Sequence, residues 1–250
     1  MHRYGPATAM TVATAILLAT GGSAAAQDCT RPTAWSEPRL YGSLSKWLGS
    51  AGTICSLYSQ YTTTTEPYAV GVISYTYPPE TRQARLRFDL DFSLVDLSTG
   101  LHRTGLVSWA GTQWPSSNPA RLVQIHLRGP TTPSGPPLLR FIYADPTNLL
   151  GNYGLREISI GSGTTVSLTV ELHGGAEGYL HYWLGSDFNA APTGRIPASG
   201  YLDWSAYGDI GGISLGVFSG TTQYRDANLA KDLIFSGLVV DDRLFRSTFE

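Results

Sequence analysis

From residue 68 onward, apolar and polar residues trade places with a period of two, run after run. Residues 84–94 (ARLRFDLDFSL) set Leu86, Phe88, Leu90 and Phe92 on one side and Arg85, Arg87, Asp89 and Asp91 on the other. Residues 121–128 send Val123, Ile125 and Leu127 one way and Gln124, His126 and Arg128 the other. Residues 164–173 oppose Val166, Leu168, Val170 and Leu172 to Thr165, Ser167, Thr169, Glu171 and His173. Successive side chains of a strand point to opposite faces, so each run predicts a strand with one buried and one wetter face. Shorter runs of the same kind occupy residues 68–76, 105–110, 138–143, 156–160, 178–184, 212–218 and 233–240. Turn-forming clusters separate them at Pro78-Pro79, 114–119, 129–137, 145–154 and Gly174-Gly175. Roughly eleven strands with no long amphipathic helix predict an all-β, antiparallel jelly-roll sandwich. The missing helical crossovers disfavour an α/β enzyme fold.

The first residues follow a different rule. Arg3 precedes the apolar run 9–19 (AMTVATAILLA), and Ala24 and Ala26 form an A-x-A cleavage pattern. That order predicts a signal peptide over residues 1–26, cut before Gln27, and a chain secreted or periplasmic. The run is shorter than the roughly 18 apolar residues of a membrane span, so no transmembrane segment is expected after cleavage. Two cysteines, Cys29 and Cys55, follow the cut. In an exported chain such a pair predicts a disulfide. Residues 27–67 then form an N-terminal segment pinned to a sandwich of residues 68–250, with no linker dividing them.

Composition narrows the partners. The 250 residues carry 17 Lys and Arg against 19 Asp and Glu, a net charge of −2. That balance excludes a basic nucleic-acid binder. Hydrophobic residues make up 42% of the chain, enough for a core and too many for a disordered one.

The C-terminal part carries a resemblance. Residues 212–242 run from GISLGVFSGTTQYRD to KDLIFSGLVVDD, a strand with Leu-Gly, a polar loop, then an apolar strand ending in Asp-Asp. This order, preceded by VSLTVEL at 166–172 and YLHYWL at 179–184, resembles concanavalin A-like domains of the lectin, glucanase and laminin-G type. The resemblance implies a jelly-roll sandwich with one sheet turned toward carbohydrate. Within it, Gln124-Ile125-His126 is similar to the Gln-Ile-His motif of alginate-lyase-like polysaccharide lyases. That narrower resemblance implies an arginine strand (Arg85 or Arg87), Gln124 and His126, and a tyrosine on a late strand. Together they would abstract a proton beside a uronate carboxylate, with Gln and Arg neutralising the carboxylate. The chain departs from the pattern twice: Leu86 stands between the arginines where the family has Glu, and the stretch 214–223 (SLGVFSGTTQ) holds Phe218 and no tyrosine.

Other candidate chemistry falls on further residues. Gly212-Ile213-Ser214-Leu215-Gly216 matches the serine-hydrolase G-x-S-x-G, but strand and turn formers follow it instead of a helix. Asp89 and Asp91 share a face as paired acids would, yet Arg85 and Arg87 on that face predict cross-strand ion pairing. His173 and His181 can meet across the Gly174-Gly175 hairpin. Asp187 and Asn189 are candidates for a structural calcium, against the alternative of ordinary turn capping; no other cofactor is expected. Aromatic residues near loops and strand ends suit stacking on sugar rings. The candidate ligand-binding set is Arg85, Trp114, Tyr201, Trp204 and Tyr207; the candidate catalytic set, under the lyase alternative, is Arg87, Gln124 and His126. Three functions stay open: an exported non-catalytic binder of glycan or cell-envelope material, a uronate lyase acting by elimination, and a structural surface protein that meets protein partners by its edge strands.

Overall fold

The computed structural model describes residues 29–30, 35–36, 39–50, 52–66, 69–113, 121–148 and 153–241. The leader expected at 1–26 and the candidate Trp114 lie outside the described residues. Among the described residues, fourteen strands, β1–β14 in chain order, make two antiparallel sheets of seven strands each. The first sheet runs, edge to edge, β1 (Arg39–Tyr41), β4 (Val70–Thr76), β13 (Ile210–Phe218), β6 (Arg103–Gly111), β7 (Arg121–Arg128), β8 (Leu138–Ala144) and β9 (Tyr153–Ser159). The second runs β12 (Gly194–Ile196), β11 (Tyr179–Leu184), β10 (Thr165–His173), β5 (Gln83–Asp91), β14 (Leu233–Asp241), β3 (Ser56–Tyr61) and β2 (Ser43–Leu48). The architecture is an all-β jelly-roll sandwich. The described residues add a 3-10 turn at Ser205–Tyr207 and one short α-helix, α1 (Thr222–Ala227), which Thr221 caps by accepting the Tyr224 N–H. No described helix is long and apolar enough to cross a membrane.

The period-two pattern sets which faces meet. Leu86, Phe88 and Leu90 of β5 and Leu168, Val170 and Leu172 of β10 are buried against Val123, Ile125 and Leu127 of β7, Leu139 and Phe141 of β8, and Ile213 and Leu215 of β13. Each such side chain contributes about 1.5–3 kcal/mol when taken fully out of water. The polar partners on the same strands therefore turn to the two outer faces.

The N-terminal segment supplies strands that alternation does not reveal. β1 closes one edge of the first sheet by pairing with β4, and β2 and β3 close one edge of the second. Cys29 and Cys55 form the disulfide, and the Thr30 backbone bridges Ile54 beside it. Ser214 sits in mid-strand, its neighbours paired with β4 on one side and β6 on the other. Its hydroxyl meets that of Ser74 at 3.1 Å, so the G-x-S-x-G stretch is continuous strand and forms no nucleophile elbow.

Candidate functional site

Cross-strand register assembles the outer face of the first sheet in rows. One row is Ser74, Ser214, Ser108, Gln124 and Ile142, across β4, β13, β6, β7 and β8. The next is Phe218, Gly105, His126, Arg140 and Glu157, from β13 to β9. Beyond it Arg103 faces Arg128. Gln124 and His126 do share a face, as their spacing predicts.

His126 is nonetheless 3% exposed. Gly105 opposite it explains why: a Cβ there would lie 2.3 Å from Phe218 Cε2, so only glycine lets the Phe218 ring reach the His126 ring, at 5.6 Å between centroids. Burial, reinforced by the charges of Arg103, Arg140 and Arg121, pushes the His126 pKa from 6.5 down to about 3. The ring is therefore neutral at physiological pH. Neither of its nitrogens has a hydrogen-bond partner, and the same holds for Gln124 Nε2 and Arg103 Nε, all of them buried. Buried polar atoms are nearly always satisfied in a folded chain, so four orphans on one face call for an explanation.

Charge on this face is unbalanced. Glu157 Oε1 accepts from Arg128 Nη1 at 2.5 Å and from Arg140 Nε at 2.7 Å. Burial alone would raise the Glu157 pKa, but those hydrogen bonds outweigh it and hold the acid below its ordinary value. Arg103 takes no part in these ion pairs, and burial together with the neighbouring Arg140 and Arg128 lowers its pKa. Three guanidinium groups thus surround one carboxylate.

Arg87 does not join Gln124 and His126. It lies on β5 in the second sheet, outward-facing, and so on the opposite side of the sandwich. Alternation identified its face correctly but could not assign its sheet. The arginines whose charges reach His126 are Arg103, Arg140 and Arg121. The run read as 105–110 begins two residues earlier, at Arg103, and extending the alternation backward would have included it.

The outer face of the second sheet holds Arg85 and Tyr201 from the ligand-binding set. Arg85 Nε donates to Glu171 Oε2 at 3.0 Å, so its partner is Glu171 and not the aspartates of its own strand. Asp89 instead accepts from the Ser167 hydroxyl at 2.5 Å, and Asp91 caps the Ser93 N–H at 2.8 Å. Glu171 also accepts from His173 Nε2 at 2.8 Å. That hydrogen bond, then those of Arg85, hold Glu171 at about 2 against the burial that would raise it. Tyr201 is 57% exposed.

Trp204 and Tyr207 leave the ligand-binding set. Trp204 is fully buried, its indole N–H donating to the Ala144 carbonyl at 2.7 Å, and Tyr207 is also buried. Their rings pack the end of the sandwich and present no face to a sugar. His173 and His181 approach, with centroids 6.4 Å apart, but His173 is bound to Glu171 and stacked on Tyr179. Asp187 accepts the Asn189 N–H at 3.0 Å, the turn-capping arrangement. No group of three or more His, Cys, Asp or Glu among the described residues is placed to hold a metal ion.

No protein-family model matches the chain, and no curated protein matches it. Among solved structures it is similar to alginate lyase Aly36B in complex with alginate trisaccharide, at 13% identity over 82% of this chain and 92% of that one, with a TM-score of 0.49. It is also similar to an alginate lyase from Pseudomonas aeruginosa, at 12% identity over 79% and 81% of the two chains and a TM-score of 0.46. A legume lectin-like domain from Entamoeba histolytica shows 12% identity over 81% and 90%, with a TM-score of 0.43. The chain is an all-β jelly-roll sandwich by its own sheet topology, and the solved structures it is similar to include alginate lyases and a lectin-like domain.

Proposed function

We propose that the chain is an exported protein that binds acidic glycan, of the uronate class, on the outer face of its first sheet and does not cleave it. One observation carries this reading: Arg103 Nε, Gln124 Nε2 and both His126 nitrogens lie buried without partners beside Arg128 and Arg140, which share a single glutamate. A carboxylate seated there would accept from Gln124 and Arg103 and offset the surplus positive charge. The row Ser214, Ser108 and Gln124 adds hydroxyl and amide groups for sugar hydroxyls.

Cleavage by elimination needs more than binding. A general base works best with a pKa near the operating pH, and His126 at about 3 is far too weak. Phe218, the late-strand ring against His126, has no hydroxyl to complete a proton relay. The disulfide suits an oxidising compartment, in line with the leader expected from the sequence.

Arg103→Met tests the reading without touching the Glu157 ion pairs. By calorimetry on alginate, glucuronan and pectate, with neutral polymers as controls, the unaltered protein is expected to bind at least one polyuronate. Losing one charge-assisted contact, worth about 1.5–3 kcal/mol, weakens binding tenfold or more. Failure of all three polyuronates, or equal binding by the variant, overturns the reading. Growth of ultraviolet absorbance on these polymers, the mark of a new conjugated C=C bond, would replace it with the lyase alternative.

A further inference from the structure

The opposite face of the sandwich carries a second construction, made of stacked rings. The His173 ring lies flat on Tyr179, with centroids 4.1 Å apart and planes 13° apart. On Tyr179 also rests the guanidinium of Arg195, at 4.5 Å, and Arg195 reaches Tyr201 at 5.0 Å. Tyr179 and Tyr201 stand 5.9 Å apart, tilted by 57°. Each support is itself held. His173 is bonded to Glu171, Glu171 is clamped by Arg85, and Arg195 donates to the Pro197 carbonyl at 2.8 Å. Tyr179 belongs to β11 and His173 to β10, and the two pair directly in register. The platform is thus fixed before any ligand arrives, which lowers the ordering cost of binding.

Beside this stack opens a recess of about 310 Å³, lined by Arg82, Gln83, His173, Gly174, Glu177, Tyr179 and Tyr201. Ligand pockets run from about 300 to 1,000 Å³, so this one admits a small unit and not a bulky one. Its wall offers both polarities: Arg82 and the Gln83 amide donate, Glu177 and the Gln83 carbonyl accept. Arg82 pairs with Asp209 at 3.5 Å, Arg195 is engaged between the tyrosine rings, and Glu177 adds a negative charge. A wall without surplus positive charge does not select a carboxylate. Paired donors and acceptors beside an exposed ring suit a polyhydroxylated ring with an apolar face.

We infer that this recess binds a neutral pyranose unit, stacked on Tyr201 with its hydroxyls on Arg82, Gln83 and Glu177, independently of the acidic-glycan face on the other sheet. Because the two sites sit on opposite faces and share no residue, the failure of one leaves the other intact.

The experiment pairs two variants with two classes of ligand. Neutral oligosaccharides of the cello-, malto-, manno-, galacto- and xylo- series are titrated at millimolar concentrations, by calorimetry and saturation-transfer NMR, into the unaltered protein, Tyr201→Ala and Arg103→Met. At least one neutral series is expected to bind. Tyr201→Ala should weaken it roughly tenfold, the loss of one stacked ring, and Arg103→Met should leave it unchanged. Polyuronate binding should show the reverse dependence. Tyr201 is exposed and its removal opens no cavity, so the variant folds; circular dichroism checks this. Absence of binding by every neutral series, or neutral binding that survives Tyr201→Ala, overturns the inference. So does a polyuronate affinity that falls with Tyr201→Ala while no neutral sugar binds, since the recess would then belong to the acidic ligand.

Discussion

Burying His126 as a neutral ring builds a specific acid sensitivity into the fold. Its pKa is 6.5 in an ordinary setting and about 3 in the folded chain. Below pH 6.5 the unfolded chain takes up a proton that the folded chain refuses until about pH 3. The His126 contribution is therefore fully present above pH 6.5 and is lost as the pH falls toward 3. Between pH 7 and pH 4 this proton uptake favours the unfolded state by roughly 3 kcal/mol, because each pKa unit is worth about 1.36 kcal/mol. With the ring 3% exposed, solvent screens little of it. The assay is urea unfolding, disulfide intact, of the unaltered protein and His126→Gln at pH 7, 6, 5 and 4. Glutamine does not titrate, while every other acid and base is common to both chains and cancels in the difference. Whatever the offset at pH 7, the difference should move by about 3 kcal/mol in favour of the variant by pH 4. Parallel stability curves across the range would refute both the buried neutral imidazole and the account of why His126 is no base.

The other predictions concern single contacts. Gly105→Ala drives a methyl into the Phe218 ring, 2.3 Å from Cε2, and should cost about 1–3 kcal/mol by thermal unfolding, partly restored by adding Phe218→Ala. Trp204→Ala should cost about 3–5 kcal/mol as a core truncation, while the folded fraction keeps its glycan affinity; a selective loss of affinity would return Trp204 to the binding surface. Glu171, held at about 2 against an ordinary 4.5, stabilises the fold above pH 4.5 and loses that contribution as the pH falls toward 2. Glu171→Gln should flatten the stability profile in that window, measured by urea unfolding at pH 5 and pH 2.5. Reducing the Cys29–Cys55 bridge, whose ends are 26 residues apart, should cost on the order of 3 kcal/mol by loop-closure entropy, read from unfolding with and without reductant.

Much of the fold is legible because its strands follow one rule. The core residues of β5, β7 and β10 emerge as read, while His126, Thr169 and Glu171 on the outer faces are buried as well. β2 and β3 are harder to read because serines interrupt their inward positions: Ser43 and Ser45 precede Trp47 on β2, and Ser59 stands between Leu57 and Tyr61 on β3. Ser43, Ser45 and Ser59 are buried. Ser45 and Ser59 bond each other at 2.7 Å and the Gly71 carbonyl at 2.8 and 2.9 Å, and Ser59 accepts the Val217 N–H at 3.0 Å. This polar seam breaks the apolar face of both strands, and hydrophobic periodicity is weak there.

The site is less legible for a related reason. Alternation says which residues of one strand share a face, but the sheet a strand joins depends on partners far along the chain. Arg87 and Gln124 both point outward, and β5 lies between β10 and β14 while β7 lies between β6 and β8. The burial of His126 likewise comes from Phe218 of β13 crossing a glycine on β6. Cross-strand charge then distinguishes the two outer faces. On the second sheet Arg85 stands opposite Glu171, a pairing that stabilises the strands it joins. On the first, Arg103 stands directly opposite Arg128, and like charges in that position oppose folding. Glu157 offsets Arg128 and Arg140 and leaves Arg103 over, next to an amide and an imidazole that also lack partners. Strands held by their own packing do not require that arrangement, whereas a bound carboxylate would resolve the repulsion and the unmet hydrogen bonds together.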